Sequence, residues 1–140
     1  SKIKKDNATI YAIIGDGEAQ EGQIWEAAFF ASHKQVDNLI VFLDYNKMQL
    51  DGTLEEVNDS GNMYDKFKSF GFDTYSIDGH NIDEIIATIE KAKTVKGMPH
   101  MIVLNTIKGK GVSFAEAAKA NSHSMPVSKE ALEEAIKELS

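Results

Sequence analysis

The 140-residue chain contains no cysteine. That excludes disulfides, a thiol nucleophile and a thiolate zinc site, and leaves the compartment open. No stretch approaches the roughly eighteen consecutive apolar residues of a membrane-spanning helix. No apolar leader with a cleavage site opens the chain, so no signal peptide is expected and a cytoplasmic address is the default. Basic residues are outnumbered, 15 against 22 acidic ones, for a net charge of -7. This argues against a nucleic-acid backbone as the main partner. Repeats and low-complexity segments are absent as well. What remains, 42% hydrophobic and 26% charged residues, lies in the globular range, and the length suffices for one domain over residues 1–140 with a buried core.

Ile10–Ile14 is a short apolar run ended by glycine and reads as a buried parallel strand, with Leu39–Leu43 as a second. Between them Ile24, Trp25, Ala28, Phe29 and Ser32 recur at helical spacing, which predicts a helix from Glu21 to Lys34 and hence a βαβ unit. An irregular stretch is expected from Lys47 to Gly61, with a turn at Asp51-Gly52. A short helix over Met63–Phe70 with Gly71 as its C-cap and a strand over Asp73–Ile77 follow. Asn81 and Glu84 fit a capping box, opening a helix with Ile82, Ile85, Ile86 and Ile89 along one face. Met101–Leu104 is a fourth strand. After a turn at Pro126, residues 127–140 read as an amphipathic helix capped by Ser128, with Leu132, Ala135, Ile136 and Leu139 on one face. This alternation predicts an α/β fold on an open, mostly parallel sheet.

In such sheets ligands bind beyond the carboxyl ends of the strands. Gly15-Asp16-Gly17 and Asp44-Tyr45-Asn46 sit at two such ends, one crossover apart. Gly15 and Gly17 let the backbone approach a diphosphate closely. Asp16 offers a divalent cation an anionic oxygen, Asn46 a neutral one and the Met48 backbone carbonyl a third. Diphosphate oxygens and a water would complete an octahedron about Mg²⁺. The plainer alternative is a strand-to-helix turn in which Asp16 caps the helix and Asn46 starts a loop. Other phosphate loops fit worse: the third glycine of a dinucleotide fingerprint is missing, and no Gly-Lys-Ser/Thr is present. Lys108-Gly109-Lys110-Gly111 is a basic, glycine-rich segment that could contact phosphate or stand solvated. His80, in Asp78-Gly79-His80-Asn81, is read as shaping a strand-to-helix turn. His33 and His100 are read as surface or strand-edge residues, and Trp25 and Phe29-Phe30 as core and interface.

The string from Gly15 to Ala27 (Gly-Asp-Gly-Glu-Ala-Gln-Glu-Gly-Gln-Ile-Trp-Glu-Ala), continued by Asn38-Leu39, Asp44-Tyr45-Asn46 and Asp51-Gly52, resembles the thiamine diphosphate motif of transketolases. The closest likeness is to the separately encoded N-terminal subunit of split transketolases. It continues through Asp78-Gly79-His80, the Lys108 segment and His123, and so covers nearly the whole chain. The resemblance implies that Asp16, Asn46 and the Met48 carbonyl bind Mg²⁺ and that Gly15 and Gly17 flank the diphosphate of thiamine diphosphate. It places Lys108 and His123 at the cofactor or the substrate end of the site, although Ser124 follows His123 where the family usually has glycine. Glu21 and Glu26 match glutamates that link active sites across a subunit interface. Five residues of helix turn through about 500°, so the two do not share a face, and the helix N-terminus favours the Glu21 charge in any case.

By the same resemblance the parent enzyme transfers a two-carbon ketol unit between sugar phosphates, as in the pentose phosphate pathway. The carboxylate that activates the cofactor belongs to a pyrimidine-binding, C-terminal subunit or domain. This chain corresponds to about the later half of the diphosphate-binding domain, incomplete at its N-terminal side. It is therefore expected to anchor the cofactor, to be inactive alone, and to work in a homo- or hetero-oligomer. Two alternatives stay open: another thiamine diphosphate enzyme, such as one like deoxyxylulose-phosphate synthase or a transketolase for an unusual sugar, or a non-catalytic binding or assembly module.

Overall fold

The computed structural model describes residues 1–140. Strand β1 (Ile10–Gly15), helix α1 (Gly22–His33) and strand β2 (Leu39–Tyr45) form the expected βαβ unit. The stretch read as irregular is more ordered than its composition suggests. A two-residue-per-strand hairpin, β3 (Met48–Gln49) and β4 (Gly52–Thr53), turns at Leu50-Asp51 and runs into the short helix α2 (Leu54–Val57). Thr53 starts α2 through a full capping box: its hydroxyl accepts the Glu56 N–H, and the Glu56 carboxylate accepts the Thr53 N–H. Then come α3 (Met63–Ser69), β5 (Asp73–Asp78), α4 (Ile82–Thr94), β6 (His100–Asn105), α5 (Ser113–Ala118), a 3-10 segment (Lys119–Ser124) and α6 (Lys129–Glu138). Helix α5 and the 3-10 segment have no counterpart in the sequence reading, because their alanines and polar residues carry no apolar periodicity.

The main sheet has the order β1-β2-β6-β5, all strands parallel. Leu43, Met101 and Val103 face a core with Ala28 and Ala31 of α1 and Met63 and Phe67 of α3. Ile40, Ile77 and Ile102 face the other core, closed by Ala92 of α4. Trp25 stacks on Phe67 with ring centroids 4.9 Å apart and so ties α1 to α3. Helix α3 stops where expected. Gly71 follows its cap residue with φ +86°, and an added Cβ there would collide with the Ser32 hydroxyl.

Several expectations need correction. Strand β1 lies at the edge of the sheet, so Ile10, Tyr11 and Ile13 are exposed rather than buried. On α4 the buried positions are Thr88 and Ala92, with Ile85 and Ile89 packed beside them, while Ile82 and Ile86 face outward. The Asn81 side chain does accept the Glu84 N–H, but the Glu84 carboxylate accepts the Asp78 N–H instead of closing the box on Asn81. Helix α6 keeps Leu132, Ile136 and Leu139 more than half exposed, so its apolar face has little to pack on within this chain.

The last correction is His100, which is fully buried at the start of β6. Its Nδ1 lies 3.2 Å from Asp73 Oδ2 and its Nε2 3.2 Å from the Asp37 carbonyl oxygen. The ring thus joins β6 to the start of β5 and to the turn before β2. Replacing it with leucine removes both contacts and leaves Asp73 Oδ2 with only the Tyr75 hydroxyl, so His100→Leu should lower stability by about 1–3 kcal/mol. The urea midpoint is the check, and an unchanged midpoint would mean that the pairing contributes nothing.

Candidate functional site

Strands β1 and β2 end side by side, with Gly15 opposite Asp44. The Asp16 N–H continues the ladder by donating to the Asp44 carbonyl at 3.1 Å. This turns the Asp16 side chain inward, where the residue is 2% exposed. Its Oδ1 accepts the Gly17 N–H at 2.8 Å and its Oδ2 the Lys47 N–H at 2.6 Å. Lys47 takes φ +61° to present that N–H, an uncommon conformation for a non-glycine residue. Asn46 is held on both sides of its amide: Nδ2 donates to Asp44 Oδ2 at 3.2 Å, and Oδ1 accepts the Met48 N–H at 2.9 Å. The other oxygen of Asp44 accepts the Thr106 hydroxyl, just beyond the end of β6.

Asp16, Asn46 and Met48 are therefore brought together, and Asp16 does not cap a helix. Lys108 lies three residues beyond the end of β6, and its charge draws the Asp16 carboxyl down slightly, although the two form no ion pair. The 3-10 segment that carries His123 packs against both strands of the β3–β4 hairpin, but the His123 side chain is exposed and unbonded. Glu21 occupies the N-cap position of α1, exposed and without a side-chain bond to the backbone, and Glu26 is exposed too. These glutamates are not drawn into the Asp16 group. The sequence reading missed the part played by Asp44 and Thr106, which orient Asn46 and fasten the end of β6. The signal for Asp44 was its place two residues before Asn46 at the end of a strand.

The donor set suits a hard cation. No group of three or more histidine, aspartate or glutamate side chains forms a cage, and Mg²⁺ ordinarily binds one or two carboxylates and completes its shell with phosphate oxygens and water. Both Asp16 oxygens and Asn46 Oδ1 retain lone pairs beyond the N–H bonds they accept. Gly15 presents its N–H to an anion already: it donates to Glu18 Oε2 at 2.7 Å. The glycines are not needed for the fold. Neither has a positive φ, and an added Cβ would meet Glu18 at 3.6 Å from Gly15 and Gln49 at 3.4 Å from Gly17, both ordinary contacts.

A family model described as transketolase, thiamine diphosphate binding domain, matches residues 3–140. The chain belongs to that family. It is 55% identical over 131 residues to the 6-deoxy-6-sulfo-D-fructose transketolase subunit SqwG of Clostridium sp. (strain MSTE9), covering 94% of this chain and 47% of that protein. It is 36% identical over its whole length to an apulose-4-phosphate transketolase subunit of Phocaeicola vulgatus, covering 50% of that protein. The chain thus spans about half the length of these curated relatives. A crystal structure of transketolase from Campylobacter jejuni superposes with a TM-score of 0.84 at 30% identity, over 94% of this chain and 20% of that one. The match to transketolases, which have a thiamine diphosphate-binding fold, agrees with the parallel α/β sheet expected from the sequence.

Burial pushes the Asp16 carboxyl above its ordinary range. The Lys47 and Gly17 N–H bonds work against that shift, Asp44 adds to it and Lys108 opposes it. Between the ordinary and the raised value, the folded state holds more protons than the unfolded one. The stability due to this group is therefore complete below the unfolded pKa and is lost as pH rises through the folded one. In metal-free protein, the stability of wild type relative to Asp16→Asn should fall as pH rises above roughly 4. Urea titrations across that window test this, and a difference that stays flat with pH would remove burial as the dominant cause.

Proposed function

We propose that this chain anchors Mg²⁺ and thiamine diphosphate in a transketolase that moves a two-carbon ketol unit between sugars. The observation that carries the reading is the buried Asp16 carboxylate beside Asn46 at neighbouring strand ends, with Lys108 close by, in a chain of this family. Asp16, Asn46 and the Met48 carbonyl would hold the metal. The backbone at Gly15 and Gly17 would lie against the diphosphate, which explains glycine at two positions where the fold does not require it. Lys108 would offset negative charge at the same end. The chain has no arginine, so its own contacts to an anion come from lysine and backbone N–H groups rather than a bidentate fork.

When bound, thiamine diphosphate supplies the nucleophilic carbon and the electron sink for breaking and remaking a carbon–carbon bond beside a ketone. The chain's own part is to bind and orient. The carboxylate that activates the cofactor is assigned to a pyrimidine-binding subunit, in keeping with the naming of the relatives as transketolase subunits. His123 is assigned to the substrate end of the site. Glu21 is assigned to a subunit interface, on the same helix as Phe29 and Phe30, which are 68% and 63% exposed.

On substrates, the 55% relative is named for a sulfonated ketose and the 36% relative for a phosphorylated one. The higher identity favours a sulfonated ketose as a second reading beside the sugar phosphates. Assaying the complete enzyme with both classes decides between them.

Binding is measured by calorimetric titration of the full-length protein with thiamine diphosphate and Mg²⁺. Asp16→Ala and Asn46→Ala should each weaken binding at least tenfold, which corresponds to about 1.4 kcal/mol. Gly17→Ala should do the same while moving the urea midpoint by no more than the equivalent of about 0.5 kcal/mol. Wild-type protein that fails to bind would leave the assembly-module alternative as the better account.

A further inference from the structure

Strands β5 and β6 end in register at Asp78 and Asn105, and the chain beyond each lies against the other. The Gly79 N–H donates to the Asn105 carbonyl at 3.0 Å, and the Asp78 carboxylate accepts the His80 N–H at 2.9 Å. A Cβ at Gly79 would stand 2.9 Å from Leu104 Cβ and 3.3 Å from the Asn105 carbonyl oxygen, and would collide with the Thr106 methyl. Only glycine lets this turn lie flat on residues 104–106. From there the His80 ring reaches back, and its Nε2 accepts the Ile107 N–H at 2.8 Å. On the opposite side, the Thr106 hydroxyl donates to Asp44 and the Thr106 N–H to the Tyr45 carbonyl. The approach to Lys108 is therefore gripped from the end of β2 and from His80 at once. Without His80, the Ile107 N–H loses its protein acceptor and opens to solvent.

We propose that His80 is a positioning residue for cofactor binding: by holding the Ile107 peptide it fixes the course on which Lys108 leaves β6 toward Asp16. The inference rests on the anchor reading given above and extends it to a residue outside the Asp16 group. A ring nitrogen suits the role because an unprotonated Nε2 is an acceptor with no carboxylate charge, placed close to a site that must receive an anion.

The test compares wild type, His80→Leu and His80→Gln in the full-length protein, since the glutamine amide oxygen reaches about as far as Nε2. Amide exchange at Ile107, with Ile102 in the core as reference for global opening, should speed up about three- to tenfold in the leucine variant and stay near wild type in the glutamine variant. Calorimetric binding of thiamine diphosphate with Mg²⁺ should weaken by a similar factor in His80→Leu and recover in His80→Gln. In a Lys108→Met background, His80→Leu should add nothing further, because both changes remove the same interaction. Unchanged exchange at Ile107 in His80→Leu would overturn the proposal. So would binding losses that add in full across the two positions. If wild type binds no cofactor, the anchor reading fails, the link from His80 to cofactor binding falls with it, and the exchange result still decides whether His80 holds the segment.

Discussion

A carboxylate removed from water at the meeting point of two strand ends sets the terms for its surroundings. Desolvating such a group costs several kcal/mol after relaxation, and each N–H bond to a charged acceptor returns about 1.5–3 kcal/mol. Asp16 has two such bonds, from Gly17 and Lys47. They reduce the penalty without removing it, since the carboxyl still sits above its ordinary range. Asp44 nearby raises it further and the Lys108 charge opposes. The remaining imbalance is of the sign that a divalent cation corrects. The local structure makes sense as a site stabilised by what it binds, because a ligand that favours the folded form adds its binding free energy to stability.

The order of the strands assembles the rest. With β1 and β2 adjacent, Asp16 meets Asp44 and the Asn46–Met48 turn. With β6 next to β2, Thr106 and Lys108 arrive on the other side of Asp44. With β5 outermost, His80 comes to the base of the Lys108 segment. Four strand ends thus deliver four short stretches of chain to one edge of the sheet, joined by hydrogen bonds that run across the strands. The helices contribute no side chain to the Asp16 group. They fill the two faces and keep the strand ends in register.

The βαβ unit, the parallel sheet and the side-by-side ends of β1 and β2 that carry Asp16 and Asn46 were legible because each leaves a local trace: apolar runs closed by glycine or aspartate, one crossover apart. What was not legible depends on neighbours distant in sequence. His100 looked like a strand-edge residue because nothing near it in the chain announces Asp73 and the Asp37 carbonyl as its partners. Ile82 and Ile86 share the spacing of Ile85 and Ile89, and only the direction from which the sheet approaches decides which pair is covered. Ile10 and Ile13 read as buried since an apolar run does not tell a central strand from an edge. The hairpin at Met48–Thr53 escaped notice because two residues per strand are too few for any period to register.

The carboxylates at the strand ends are already committed within the fold. Asp16 accepts one backbone N–H on each oxygen, Asp44 steadies Asn46 and Thr106, and Glu18 is bonded to the Gly15 N–H. A general acid or base must exchange its proton with a substrate, and a group whose oxygens are turned into the protein is poorly placed for that. Such carboxylates suit holding a cation instead, where fixed geometry is an advantage and proton exchange is not required. Lys108 and the exposed His123 form no ion pair or side-chain hydrogen bond within the chain, and they stand on segments held at the ends of β2, β5 and β6 and at the β3–β4 hairpin. The division follows from the architecture: the strand ends fix the carboxylates through backbone N–H groups and leave Lys108 and His123 without such bonds.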